Sequence, residues 1–177
     1  MKNGTAIQNN VFKVYDSDTN KALDGTVTVQ LPSFELASNT FKGAGVGAEI
    51  NVPAPGVMNA LVATISVPII YGELTKYLEL ASTKTLDLRN EIVLSNKDSH
   101  QIEKAANRWV LKGPLSKADP GKIEQGATSD ATFDLQIYYV HHWLDGDDVL
   151  EWDPFKFIYK VNGQDMMSDT RQNILVG

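Results

Sequence analysis

Apolar and polar residues alternate over two stretches in the last third of the chain. From Ala131 to Trp143, the residues Ala131, Phe133, Leu135, Ile137, Tyr139, His141 and Trp143 share one parity. Thr132, Asp134, Gln136, Tyr138, Val140 and His142 share the other. A period of two marks a strand with one buried face. Beyond the acidic Asp145-Gly146-Asp147-Asp148, Phe155, Phe157, Tyr159 and Val161 alternate with Pro154, Lys156, Ile158 and Lys160. The two runs predict a long antiparallel hairpin around the acidic turn. A two-stranded ribbon is marginal in water, so its apolar face needs cover from the rest of the chain or from other copies.

Similar patterns recur upstream. Val11 to Tyr15 is a short apolar run, followed by the turn-rich Asp16 to Asn20; Val27, Val29 and Leu31 then alternate up to Pro32. This predicts a first hairpin. Residues 33–57 are dense in Gly, Ala, Ser, Asn and Pro, with Phe34, Phe41 and Val46 among them. So long a stretch with little periodicity suggests a protruding Gly-rich hairpin whose aromatic and aliphatic residues dock elsewhere. From Asn59 to Ile70, Leu61, Ala63, Ile65, Val67 and Ile69 form one face of a strand. Leu74, Tyr77, Leu78 and Ala81 then share a helical face over Glu73 to Ala81. Leu86, Leu88, Ile92 and Leu94 mark a strand region broken near Asn90. Arg108 to Lys112 reads as a strand stopped by Gly113-Pro114, and Leu115 to Ser129 as an exposed loop. Asn162-Gly163 is a turn signal, and Asp165 to Leu175 a short helix with Asp165 as its cap. The sum is about seven strands and two short helices. The fold class is mainly β (α+β), a β-sandwich or barrel with peripheral helices and one long protruding hairpin.

Composition narrows the function. At 177 residues the chain is expected to be one domain, with roughly 70% of its unfolded surface buried. A net charge of −6 argues against nucleic-acid affinity and against an anionic membrane surface. There is no cysteine, which removes disulfides and thiolate metal sites. The polar start MKNGTAIQNN carries no apolar signal core, and no apolar run reaches spanning length, so synthesis as a soluble cytoplasmic protein is expected.

Candidate chemistry is sparse. His141 and His142 are adjacent on a strand, so their side chains leave opposite faces and share no metal. Asp16, Asp18 and Asn20 have the first ligand spacings of a calcium loop, but Lys21 and Val27 stand where Gly and Glu are required. Gly43, Gly45 and Gly47 lack the following helix that a phosphate loop needs. Asp145, Asp147 and Asp148 read as a solvated hairpin tip, and Asp134 with Glu151 as an unspecific carboxylate pair. No enzyme, cofactor or metal is expected.

Several segments resemble, in order, the major tail tube protein of contractile phage tails and of R-type phage-tail-like bacteriocins. They are VTVQLPSF (Val27 to Phe34), FKGAGVGAEINV (Phe41 to Val52), Arg108-Trp109, Phe133 to Tyr139, Pro154 to Asp165, Arg171 and the closing ILVG. The polar N-terminus and the stretch Leu115 to Ala127 depart from the family pattern. The resemblance implies a self-assembling structural protein: six-membered rings, joined into one barrel and stacked as the inner tube inside a contractile sheath. The tube would be a conduit for DNA in a phage, or for ion leakage in a bacteriocin. It implies inter-ring contacts through Phe41, Lys42, Val46, Glu49 and Ile50. The expected lumen-facing residues are Thr132, Asp134 and Gln136. The implied partners are the chain itself, the sheath protein, and baseplate and tape-measure proteins, with DNA only in passing and no membrane insertion. The implied place is the virion tail or a released particle. Two alternatives stand beside it. One is a monomeric β-sandwich glycan-binding module using Trp143 and Trp152; the other is the related tube of a type VI secretion system.

Overall fold

The computed structural model describes residues 4–43 and 47–174. Its innermost strands are β6 (Leu61–Val67) and β9 (Ala131–Ile137). In β6, Leu61, Ala63, Ile65 and Val67 are buried; in β9, Ala131, Phe133, Leu135 and Ile137 are. The two run antiparallel with Ile65 opposite Phe133 and Ala63 opposite Leu135, so the predicted alternation becomes one continuous apolar face. The short β3 (Thr28–Gln30) flanks β6, and the end of β8 (Ile102–Asp119) flanks β9.

The rest of β8 belongs to a larger array. On one side of it lie β7 (Thr83–Asn96), then β1 (Gly4–Asp16) and β2 (Lys21–Ala22). On the other side lie β10 (Tyr139–Leu144), β11 (Asp147–Asp153), β12 (Ile158–Val161) and β13 (Gln164–Asp165). All pairings are antiparallel. The core lies between the two arrays, where Tyr77 meets Phe133 at 5.6 Å between ring centroids and packs with Leu86, Leu111, Val140 and Trp152.

The corner is where the sequence reading fails most. Gly113-Pro114 does not stop β8; the strand turns there and changes partner, from β7 and β10 to β9. A Cβ at residue 113 would lie 1.7 Å from the Gln136 carbonyl oxygen, so only glycine allows the two backbones to approach this closely. The stretch 115–119 is therefore strand rather than loop. The neighbouring chain turns at the same place. Tyr138 separates β9 from β10, and its N–H donates to the Lys112 carbonyl at 2.8 Å. The turn shifts the buried parity: Val140 is buried, while His141 and Trp143 are half-buried. The single strand expected over 131–143 is two.

Other corrections follow from pairing partners. β3 pairs with β6, not with β1, so no early hairpin forms over 11–31 beyond the two-residue β2. β7 runs unbroken past Asn90; the irregularities lie in β1, between Ala6 and Gln8 and between Asn9 and Phe12. The hairpin around Asp145-Gly146 is present, but its second strand is β11. Phe155 sits 73% exposed in a turn where Asp153 Oδ1 accepts the N–H groups of Phe155 and Lys156, both at 3.1 Å. Ile69 is 54% exposed, outside β6. The first predicted helix is a 3₁₀ helix, Gly72–Leu78, that buries Leu74 and Tyr77 but leaves Leu78 exposed. The second is α1 (Ser168–Asn173), and Leu175 lies outside the described residues. Asp165 does not occupy the cap position; its carboxylate accepts the Met167 N–H at 3.0 Å and pairs with Arg171, which fixes the start of α1. The described residues hold thirteen strands, more than the sequence suggested, because long strands that bend were read as short ones and tiny edge strands were not read at all.

Candidate assembly surfaces

β4 (Leu36–Phe41) and β5 (Ile50–Met58) form a two-stranded sheet of their own. Phe41 faces Ile50, Thr40 faces Asn51, and Thr40 Oγ1 donates to Asn51 Oδ1 at 2.9 Å. Pro53 and Pro55 suit an open edge, since they have no N–H to offer a further strand. Phe41, Ile50 and Val52 are 52%, 46% and 48% exposed. Lys42 and Glu49 are exposed beside them, and Val46 lies outside the described residues. At the root of the hairpin, Gly56 has φ of +76°, and a Cβ there would strike Met167 Sδ. Met167 is 5% exposed, so the segment leading into α1 grips β5 at this point.

A second surface is polar. Thr132, Asp134 and Gln136 point away from the core along β9 and are half-buried. Thr64 of β6 donates to Asp134 Oδ1 at 2.6 Å, and Ser116 of β8 donates to the Asp134 carbonyl at 3.1 Å. Thr28 and Gln30 of β3 stand opposite Ser66 and Thr64. The registers thus join four strands into one hydroxyl-, amide- and carboxylate-bearing face.

The third feature is an unpaired edge. Among the described residues, β1 is bonded to β7 on one side only from Gly4 to Lys13; β2 covers Tyr15 and Asp16, and the Leu23 N–H reaches the Val14 carbonyl. Ile7 and Val11 on this stretch are 59% and 63% exposed. The sequence reading missed this arm of β1 and the outer part of β8, Ile102 to Asn107; Gly4 to Asn10 is polar and shows no alternation.

The residues weighed for chemistry have structural roles. Asp16 Oδ1 accepts the N–H groups of Asp18 and Thr19, and the Tyr77 hydroxyl donates to Asp16 Oδ2 at 3.3 Å, so Asp16 to Asn20 is a plain turn. Burial pushes the Tyr77 hydroxyl pKa up, and the nearby Asp16 charge adds to this. His141 stacks on Trp143 at 3.6 Å and bonds Asp148 Oδ1 at 3.0 Å; His142 stacks on Trp109 at 3.8 Å and bonds Asn107 Oδ1 at 2.6 Å. The two rings therefore diverge, as their spacing required. Burial, with a contribution from His141, lowers the His142 pKa to about 4. Asp134 and Glu151 lie on strands that do not pair, and Glu151 binds Lys160 at 3.0 Å. His100 sits in the β7–β8 turn with φ of +57°. No cluster among the described residues is arranged to hold a metal. Trp152 is 6% exposed, which removes it from any surface glycan platform. No described helix is long and apolar enough to cross a membrane.

In comparison with known proteins, a family model described as phage tail tube protein FII matches residues 9–174. The tail tube protein of Escherichia phage P2 is 31% identical over 72 residues, covering 41% of this chain and 42% of that protein, less than half its length. The major tail tube protein of Serratia phage KSP20 is 25% identical over 161 residues, 90% of each chain. Among solved structures, the sheath/tube terminator of an extracellular contractile injection system (PVC, extended state) aligns with a TM-score of 0.53 at 12% identity. That alignment covers 77% of this chain and 96% of the terminator, and it speaks for the fold.

Proposed function

The chain belongs to the phage tail tube protein FII family, and from that premise we propose that it acts as one domain whose copies close into six-membered rings and stack as the inner tube of a contractile tail. The unpaired edge of β1 carries this reading. A long strand with open N–H and C=O groups is a liability in a lone chain and a joint in a closed ring. The hairpin of residues 33–57 reaches the adjacent ring, with Phe41, Lys42, Val46, Glu49 and Ile50 at the contact. The polar face of Thr132, Asp134 and Gln136 lines the lumen. With each subunit carrying −6, a lumen of this kind repels phosphate and lets DNA, or small ions in a headless particle, pass without sticking. A sheath protein surrounds the tube, with baseplate and tape-measure proteins at its ends, and the particle's tail is where the protein resides. The role is structural, with no cofactor or metal.

Negative-stain imaging and size-exclusion chromatography of the concentrated protein test this. Rings or rods with six-fold averages are expected. A compact monomer under every condition, with sheath and baseplate proteins present, refutes the proposal. Replacing residues 41–50 by a tight turn is expected to leave β-rich subunits that no longer stack; stacking by that variant removes the hairpin from the joint.

A further inference from the structure

A groove of about 310 Å³ opens between β3 and the sheet of β1, β7 and β8. Phe12, Val27, Val29, Leu88 and Trp109 form its apolar walls, and Asn9, Asn90 and Asn107 its polar rim. No charged side chain among the described residues lines it, although the chain carries 16 basic and 22 acidic residues. No described residue of the same chain's β4–β5 hairpin lines it either. β3, which borders it, is bonded to β6 alone among the described residues, so its outer main-chain groups are open.

The hairpin has the matching character. Neither β4 nor β5 contains a charged residue; Lys42 and Glu49 lie just beyond the Phe41–Ile50 pair. Phe41 and Ile50 sit opposite each other near the outer end, both about half-exposed, with Thr40 and Asn51 directly behind them. An apolar pair followed by a hydroxyl and an amide fits an apolar slot rimmed by three asparagines, and the open edge of β3 offers main-chain bonds to an arriving strand.

We propose that this groove is the receptor for the Phe41–Ile50 end of the hairpin from a second copy of the chain. The inference rests on the tube reading above and adds the place where the hairpin lands. Val27 and Phe12, 55% and 45% exposed, become buried on assembly, and Trp109 forms the floor of the contact.

The chain has no cysteine, so an introduced pair reports the contact directly. Phe41→Cys protein is mixed with Val27→Cys or with Phe12→Cys protein, assembled and oxidised. A disulfide needs Cα atoms within about 7 Å, so a covalent heterodimer forms only if the two sites adjoin. The expected result is a heterodimer with at least one of the two groove partners, and none with Ile123→Cys on the exposed 120–130 loop. Rods that form while neither groove position links overturn the receptor and leave the tube reading standing. Failure of the unaltered chain to form rings or rods overturns both. As a second measurement, Val27→Glu is expected to melt as the unaltered subunit does. It should raise the concentration at which rods appear by about tenfold or more, because a charge entering a dry apolar contact is costly. An unchanged threshold also overturns the receptor.

Discussion

Asp87 is 5% exposed on β7, with Arg108 Nε 2.9 Å from one oxygen and Arg89 Nη2 2.7 Å from the other. Burial raises its pKa, but the hydrogen bonds and charges of the two arginines outweigh burial and hold it below the ordinary carboxylate value. The Arg108 guanidinium also lies 4.9 Å from the centre of the Trp143 ring, so the carboxylate anchors a cation–π contact on β10 as well. Removing one member of a buried pair costs about 3–5 kcal/mol; both arginines here are about half-exposed, so Asp87→Ala should cost about 2–3 kcal/mol in urea unfolding. Since the folded pKa is lowered, Asp87's contribution is complete above about pH 4 and drains away as pH falls further. His142 acts in a higher window. Its folded pKa is about 4, against an ordinary value of 6.5, so an unfolded chain binds a proton here that the folded chain refuses. Stability is therefore expected to fall as pH drops from 6.5 towards 4, and His142→Phe should flatten that limb while leaving the one below pH 4. A limb unchanged in His142→Phe assigns the loss to other groups.

At the scale of elements, legibility followed periodicity. β6 and β9 were readable because each buries one face along its whole length. β8 was not, because it buries different faces before and after the corner at Gly113, and glycine with proline was read as a stop. The signal was ambiguous in one dimension: the same dipeptide ends a strand or bends it, depending on whether another backbone lies alongside. The close approach to Gln136 makes a test. Gly113→Ala should destabilise by about 2 kcal/mol or more, since carbonyl and methyl cannot share the space and β8 must part from β9. A melting curve indistinguishable from that of the unaltered protein would falsify this account of the corner. The grip of Met167 on β5 at Gly56 was not legible, because the partners are over a hundred positions apart. The first residues of β1 showed no pattern at all, since an edge with no core beneath it is free of the alternation that burial imposes.

For the whole molecule, the described residues present four features: a bare edge, an apolar ribbon, an uncharged groove and a polar face. Family membership and mainly-β class could be reached from ordered sequence segments; the contacts proposed between copies rest on the resemblance instead, because a contact between chains leaves no periodicity within one. The polar face has its own test. Asp134→Lys should leave rods intact in electron micrographs yet slow DNA passage or alter ion flow through them; unchanged conduction removes Asp134 from the channel wall.

In an antiparallel edge strand, successive amides point alternately to the neighbour and to solvent. Along Gly4 to Lys13 the outward amides have no strand partner among the described residues, while those turned inward are bonded to β7 wherever the register holds. A free subunit placed in deuterated water should therefore label this stretch as a comb interrupted where the register shifts, between Ala6 and Gln8 and between Asn9 and Phe12, with outward amides exchanging fast and those bonded to β7 slowly. If copies join along this strand, the comb fills in at the moment of joining. Ten residues that look idle in one molecule would then serve as a clock for how quickly, and in what order, a tail is built.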